Sequence, residues 1–480
     1  MMKCRSGVMV ATSDEWHGSC TPNQRTLQGK GGTAESGQFR TSVGFWYDKA
    51  ASLIDCWRDN HMNKNEKAAV SAEELVTLTK DTSVQRIVVH GDLINVPSVR
   101  LAPGQFLRGE HEHSSITFSA GADGLQLSSD NRIHNVRLQA SPDKRAIFND
   151  TSVASLGRIE LRGVTTVGCV QILARDKVRG GHVDVNGLDI IAADARGEEE
   201  RPHGYGVYVI NGAFTLWNMQ QDTSVIVSAD LVGLSAGRDG APVRGSGIFV
   251  SGGGDKAGRL NVRRLETDGV YSDGGIAPGT PDQITGGVFT VYGAYVDVVR
   301  NRGPVVTYGV NDMVLDNWGV VDRWTAEAKI TSHGPSGIGF VNFGIVHELK
   351  VNAPIETFGQ GARGFNVYTG TVNLAEFDRV ITHADGAVGI QISQPIGRLV
   401  VRRGIETFGG TGPSLVKGVV ISLSAIALSI KPGGSAREIE IAGGIKTNGP
   451  GVAPIEQHGA IESLRVTGGF VAAGGGFDKI

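Results

Sequence analysis

The chain lacks most of the usual anchors of a fold or a cofactor. Its four cysteines, Cys4, Cys20, Cys56 and Cys169, show no Cys-x-x-Cys spacing, which excludes a zinc ribbon or a dithiol redox motif and leaves them reduced and incidental. No run of 18 apolar residues occurs, so a helical membrane span is excluded. Lys and Arg number 46 against 49 Asp and Glu, a net charge of −3 with no basic footprint, which argues against nucleic acid as a partner. The N-terminus carries Lys3 and Arg5, but the apolar stretch behind them, Val8 to Ala11, is too short for a secretory signal. As the sequence stands a cytoplasmic protein is expected, or a secreted one if this start is not the native one.

What the chain has instead is glycine, 69 residues of it, and a sentence it repeats. Ile330 to Gly334, Ile355 to Gly359, Ile381 to Asp385 and Ile405 to Gly409 each pass from a short apolar run into a threonine turn. The threonines Thr307, Thr331, Thr357, Thr382 and Thr407 stand 24, 26, 25 and 25 residues apart. Thr267-Asp268-Gly269 and Thr447-Asn448-Gly449 read as the same turn, with a long insertion in each of those coils. A period in the mid-twenties built from β-formers and glycine is that of a solenoid, one β-coil per repeat. It also explains how 480 residues form one body, because a solenoid grows linearly.

A glycine-rich loop follows each turn and leads into a second apolar run, among them Gly206 to Asn211, Gly247 to Gly252, Gly287 to Tyr292, Asp312 to Asn317, Gly337 to Asn342 and Gly364 to Thr369. Alternation assigns two inward columns: Val207, Ile248, Val288, Met313, Ile338 and Phe365, then Val209, Val250, Thr290, Leu315, Phe340 and Val367. Asn211, Asn317 and Asn342 at the turn are expected to form a backbone-bonding ladder. A third strand closes each coil, as at Val320 to Trp324 and Ile345 to Val351.

Three short strands per coil with no helical pattern between them resemble the pectate-lyase-like superfamily of right-handed parallel β-helices. The resemblance lies in coil architecture over roughly residues 84 to 475. It implies an all-β, right-handed parallel β-helix solenoid with a side groove suited to carbohydrate. The superfamily's polygalacturonase motifs are not intact, Ser332-His333-Gly334 being a poor echo.

Taken in order, residues 1–44 read as poorly ordered, 45–83 as a helical cap and 84–480 as the β-helix. Phe45 to about Asn60 is expected as one helix. Ser71-Ala72-Glu73-Glu74 is a capping box that opens a second, whose Leu75, Val76 and Leu78 would cover the open end of the core. His111-Glu112-His113 lacks a third ligand nearby and reads as a solvated loop, so no metal is assigned.

Function on such a rod sits on its outer surface. Insertions accumulate between the threonine turn and the second run, at 197–205, 238–246 and 268–286, and would wall a groove. Glu356 and Glu406, two coils apart at about 9.6 Å, are spaced as an inverting acid/base pair for glycoside hydrolysis. Asp316 is the third catalytic candidate. Asp273, Tyr308, Asp312, Trp318, His333, Arg363, Asn366 and Tyr368 are the substrate-binding candidates, the aromatics because sugar rings stack on them. The expected ligand is an oligo- or polysaccharide, without a cofactor. A polysaccharide lyase with Ca2+, to which Asp312, Asp316 and Arg363 would loosely contribute, is the alternative chemistry, and a non-catalytic glycan-binding or assembly protein the alternative class. Outward Phe249, Phe289 and Val341 leave the second run apolar on both faces, which predicts a covering partner and hence a homo-oligomer, most plausibly a trimer.

Overall fold

The computed structural model describes residues 65–200, 207–416 and 418–476. The expected N-terminal segment 1–44 and the helix from Phe45 to about Asn60 lie outside them. Among the described residues the strands gather into one sheet of 26, a second of 15 and a two-stranded hairpin. Each coil visits three faces. The strand Val320–Ala326 lies on the first, Ile330–Ser332 on the second and Ile338–Asn342 on the third, before Ile345–Val351 returns to the first. Pairing is parallel between equivalent strands of successive coils, with Val321 against Val346, Thr331 against Glu356 and Phe340 against Phe365. The protein is a parallel β-helix. Its single helix among the described elements, Ala72–Lys80, is too short and too polar to cross a membrane.

Stacking in register turns each repeat position into a column, so one apolar residue type recurring every 25 or so residues becomes a continuous core. Leu315, Phe340, Phe365, Ile390 and Leu428 stack from the third face onto Ile330, Ile355, Val380 and Ile405 of the second, all within one buried cluster. The helix closes one end of that cluster with Leu75. Its Ser71 cap accepts from the Glu74 N–H at 3.2 Å, as the predicted capping box requires, while the Glu74 side chain returns to the N–H of Val70, one residue before the cap, at 2.9 Å. Buried Gln105 donates to the carbonyls of Leu78, Asp81 and Val84, fastening the helix to the coil beneath.

The expected asparagine ladder exists at Asn317 and Asn342. Thr290 Oγ1 donates to Asn317 Oδ1 at 2.7 Å, and Asn317 Nδ2 donates to Asn342 Oδ1 at 2.8 Å. Asn211 stands outside it. The strand Tyr208–Ile210 is not a rung at all but part of an insertion that pairs with Gln283 and Ile284. Thr267, expected in a turn, lies inside the long strand Arg259–Asp273, and Ser272 is the true partner of Thr307.

The third face departs from simple alternation. Val314 and Leu315 both point inward, and Gly339, Gly364 and Gly389 occupy the Val314 position in later coils. One residue too many on the inner side is a bulge, and it reverses the facing of everything before it. Met313, Ile338, Arg363 and Val388 therefore form an outward column, contrary to the inward reading of Met313 and Ile338. In the later coils glycine is required at this bulge because the second face presses on it, as at Gly339 and Gly364. A Cβ at Gly364 would stand 2.2 Å from Val380 Cγ1 and 2.6 Å from the Gly389 carbonyl. Gly364→Ala is expected to destabilise the β-helix by about 1–3 kcal/mol through overpacking. Urea unfolding would read this as a lower midpoint with unchanged slope, and an unaltered midpoint would contradict the packing described.

Candidate functional site

The outer side of the third face carries a second apolar cluster, separate from the core, that includes Trp217, Phe249, Phe289, Trp318, Val341 and Tyr368. Its cover comes from this chain. The Tyr208–Ile210 strand, the insertion that ends at Gln283–Ile284, and the hairpin Thr411–Val416/Val419–Ser424 supply Val209, Ile284 and Val416 to it. Phe249 and Phe289 are fully buried in this way, so the part of the apolar outer face around them is covered within one chain, while Val419 and Ile421 on the hairpin stay exposed.

Between the cover and the sheet lies a cleft of about 380 Å³. Met313 and Ile338 line one side, and Trp318, Phe343 and Tyr368, one per coil, line the other. Trp318 to Phe343 and Phe343 to Tyr368 are 5.1 and 5.2 Å between ring centroids, the first pair tilted and the second stacked. The column between these two rows is Asp316, Val341 and Asn366, paired in register and fully buried, and none of the three lines the cleft.

This column is unusual. Asp316 and Asn366 are both 0 % exposed, and neither the carboxylate oxygens of the one nor the amide atoms of the other have a hydrogen-bond partner. Each such group costs about 1–3 kcal/mol. Burial pushes the Asp316 carboxyl well above the ordinary carboxylate range, and the adjacent Trp318 indole opposes this only in part. The neutral acid is therefore the favoured form. Arg363, also fully buried, is spent on the hairpin. It donates to Ser414 Oγ at 3.0 Å, and to the carbonyls of Gly361 at 3.2 Å and Leu415 at 3.5 Å.

The other candidates lie elsewhere. Glu356 and Glu406 share a column on the second face with Ile381 between them, as their spacing predicts. Each is neutralised there: Glu356 by Lys329 and by His383 at 2.8 Å, Glu406 by Arg379 at 2.6 Å and Lys446 at 3.0 Å. Partial burial works against it, yet these cations hold both carboxyls below their usual range. The two therefore do not share a groove with Asp316. Tyr308 and His333 belong to a row of rings at the corner after the second face, Tyr308, His333, Phe358, His383 and Phe408, stacked 4.5–5.2 Å apart and within 11° of parallel. Their faces are occupied by one another, so only edges are open to a ligand. Tyr308 also donates to Asp239 Oδ1 at 3.0 Å.

Asp273 and Asp312 brace the insertion. Asp273 pairs with Arg244 and accepts from the Gly275 N–H at 2.8 Å. Buried Asp312 accepts from the N–H groups of Gly274 at 2.9 Å and Gly309 at 2.8 Å and from the Thr285 hydroxyl, tying the insertion to the turn. The site residues that sequence reasoning passes over are Met313, Ile338, Phe343 and Leu415. Phe343 was legible, standing 25 residues from both Trp318 and Tyr368.

Comparison of the chain with family models, with curated proteins and with solved structures finds no match to any of them. The fold class, a parallel β-helix, thus stands on the strand pairing alone.

Desolvation raises Asp312 from 3.8 to about 6 in spite of its three donors. A carboxyl whose pKa is higher folded than unfolded contributes stability that is full below the unfolded value and is lost as pH rises through the folded one. Between about pH 4 and pH 7 the loss due to Asp312 amounts to about 3 kcal/mol. Thermal melts across this window should show wild type losing more stability than Asp312→Asn, and parallel curves would contradict the assignment.

Proposed function

We propose that this β-helix binds and hydrolyses a carbohydrate chain in the third-face cleft, with Asp316 as the proton donor, as a distant member of the pectate-lyase-like superfamily. The observation that carries the reading is the Asp316 carboxyl, fully buried between the two apolar rows that line the cleft, where desolvation favours the neutral form. A general acid has to hold its proton at the working pH, and a desolvated site is the usual way to arrange that. Trp318, Phe343 and Tyr368 offer the aromatic wall against which the apolar face of a sugar ring packs. Paired-carboxylate hydrolysis needs a second group, and Asp282, exposed on the rim of the same cleft, supplies it more readily than Glu356 or Glu406 on the other face. In this scheme Asp316 protonates the leaving oxygen while Asp282 takes a proton from the attacking water.

The calcium-dependent lyase has weaker support, because among the described residues no three Asp, Glu, His or Cys side chains converge to hold a metal ion. The non-catalytic glycan binder is favoured by one feature, the complete burial of Asp316, which in this state no substrate reaches. A panel of neutral and uronic-acid oligosaccharides, assayed for new reducing ends and for absorbance of an unsaturated product, separates the three. Hydrolysis predicts reducing ends alone, with Asp316→Asn at least about a hundredfold slower and no less stable thermally. Full turnover by Asp316→Asn would remove Asp316 from the chemistry.

A further inference from the structure

A second cleft, of about 230 Å³, lies on the same outer face in the N-terminal coils and shares no lining residue with the first. Gln126, Phe148 and Gln171, in register on three successive rungs, stand along it, with Arg145, Asp150 and Arg175 beside them. Four rungs, or about 19 Å, separate Gln171 from Asp316 in the same column. Gln171 is only 6 % exposed, yet among the described residues its side-chain amide makes no hydrogen bond, and neither does that of Gln126. A buried amide without a partner is costly, and one that lines a cavity is placed to meet a partner from outside.

The charges around these amides are unequally committed. Each carboxylate beside the cleft is held: Asp150 accepts from Arg100 Nε at 2.9 Å and from the Ser152 hydroxyl at 2.6 Å, Asp123 pairs with Arg145, and Asp176 accepts from the Thr151 hydroxyl at 2.6 Å. Arg145 is engaged a second time, its guanidinium lying 4.2 Å from the centroid of the Phe148 ring. Arg175 differs. Among the described residues its guanidinium makes no hydrogen bond, and the carboxylate nearest to it, that of Asp176, stays 3.8 Å from Nε. The capacity left open is therefore mainly N–H donors, on Arg175 and on both glutamines, with one acceptor oxygen on each glutamine.

We propose that this cleft binds a small hydroxylated oxyanion, a carboxylate or a sulfate ester, whose charged end pairs with Arg175 and whose hydroxyl groups meet the amides of Gln126 and Gln171. The planar fork of an arginine matches two oxygens of either anion. An amide, donor and acceptor at once, suits a hydroxyl, which is both as well. The glutamines stand about 9.6 Å apart at the backbone, so the ligand spans the Phe148 rung between them. A volume below the roughly 300–1,000 Å³ usual for ligand pockets limits the occupant to a small molecule. The site is independent of the chemistry assigned to Asp316.

Titration calorimetry on the full chain compares gluconate and glucose 6-sulfate with glucose, which lacks the charge, and with acetate, which lacks the hydroxyls. At least one of the two hydroxylated anions is expected to bind about tenfold or more tightly than both glucose and acetate. Gluconate leads if the site takes a carboxylate, and glucose 6-sulfate if it takes a sulfate ester. Arg175→Gln is expected to weaken binding of that anion by about tenfold or more. Gln171→Leu is expected to weaken it too while melting no lower than wild type, because an apolar side chain there ends the unpaired burial. Three results would each overturn the proposal: neither anion binding above glucose and acetate, unchanged affinity in Arg175→Gln, or Gln171→Leu melting several degrees below wild type. The last would show the amide already engaged within the fold.

Discussion

Every rung of a parallel β-helix must give its backbone N–H and C=O groups to the rungs on either side, and this single demand sets the rest of the molecule. It locks successive coils into register, and register makes columns: whatever residue recurs in the repeat is stacked upon itself. Apolar columns become the core, the Asn317–Asn342 column becomes a hydrogen-bonded ladder, and the rings from Tyr308 to Phe408 become a stacked row. Opposite charges alternate on the first face for the same reason, as where Arg323 meets Glu348 and Arg398 meets Glu438 across adjacent rungs. Columns are also intolerant of exceptions. An odd residue is held in place by its neighbours above and below even where its own chemistry resists the position, and Asp316 is such an exception. It stands in a column with Phe289 before it and Val341 after it, and nothing in the sheet provides it with a partner.

A protein can retain a buried, unsatisfied acid when the group does something that compensates for its cost to stability. The surroundings of Asp316 fit that reading. Asn366 shares its unsatisfied state two rungs away, and the insertions supply Val209, Ile284 and Val416 to the apolar cluster on this part of the sheet. Arg363 extends the arrangement, because its guanidinium is committed to holding the hairpin against the third-face strand instead of to a carboxylate. The helix scaffold supplies rigidity, and the inserted loops supply the shape of the site.

Much of this was legible from spacing. The period, the parallel coils, the helix cap and the asparagine ladder all follow from recurrence of residue type, which stacking converts directly into contacts. The facing of the third strand was not. A slip of two residues preserves alternation, so Val288 aligns with Met313 as plausibly as with Leu315, its true partner. The bulge then reverses the facing of Met313, Ile338 and Arg363, and only the crowding at Gly339 and Gly364 reveals it. The site was legible in part. Asp316 and Trp318 recur at the same offsets as Asn366 and Tyr368 two coils on, with Val341 and Phe343 of the intervening coil between them, so all four fall on one stretch of the third face. Glu356 and Glu406 are equally regular, but their neutralising partners, Lys329, Arg379, His383 and Lys446, come from the flanking turns and rungs, whose proximity no single repeat displays.

The central claim is that Asp316 is a neutral acid in the folded protein at neutral pH. Infrared difference spectroscopy between wild type and Asp316→Asn reads this directly through the carbonyl stretch of a protonated carboxyl group. The account predicts such a band in wild type at pH 7 and its loss in Asp316→Asn. A difference spectrum showing only ionised carboxylate at that pH would contradict it.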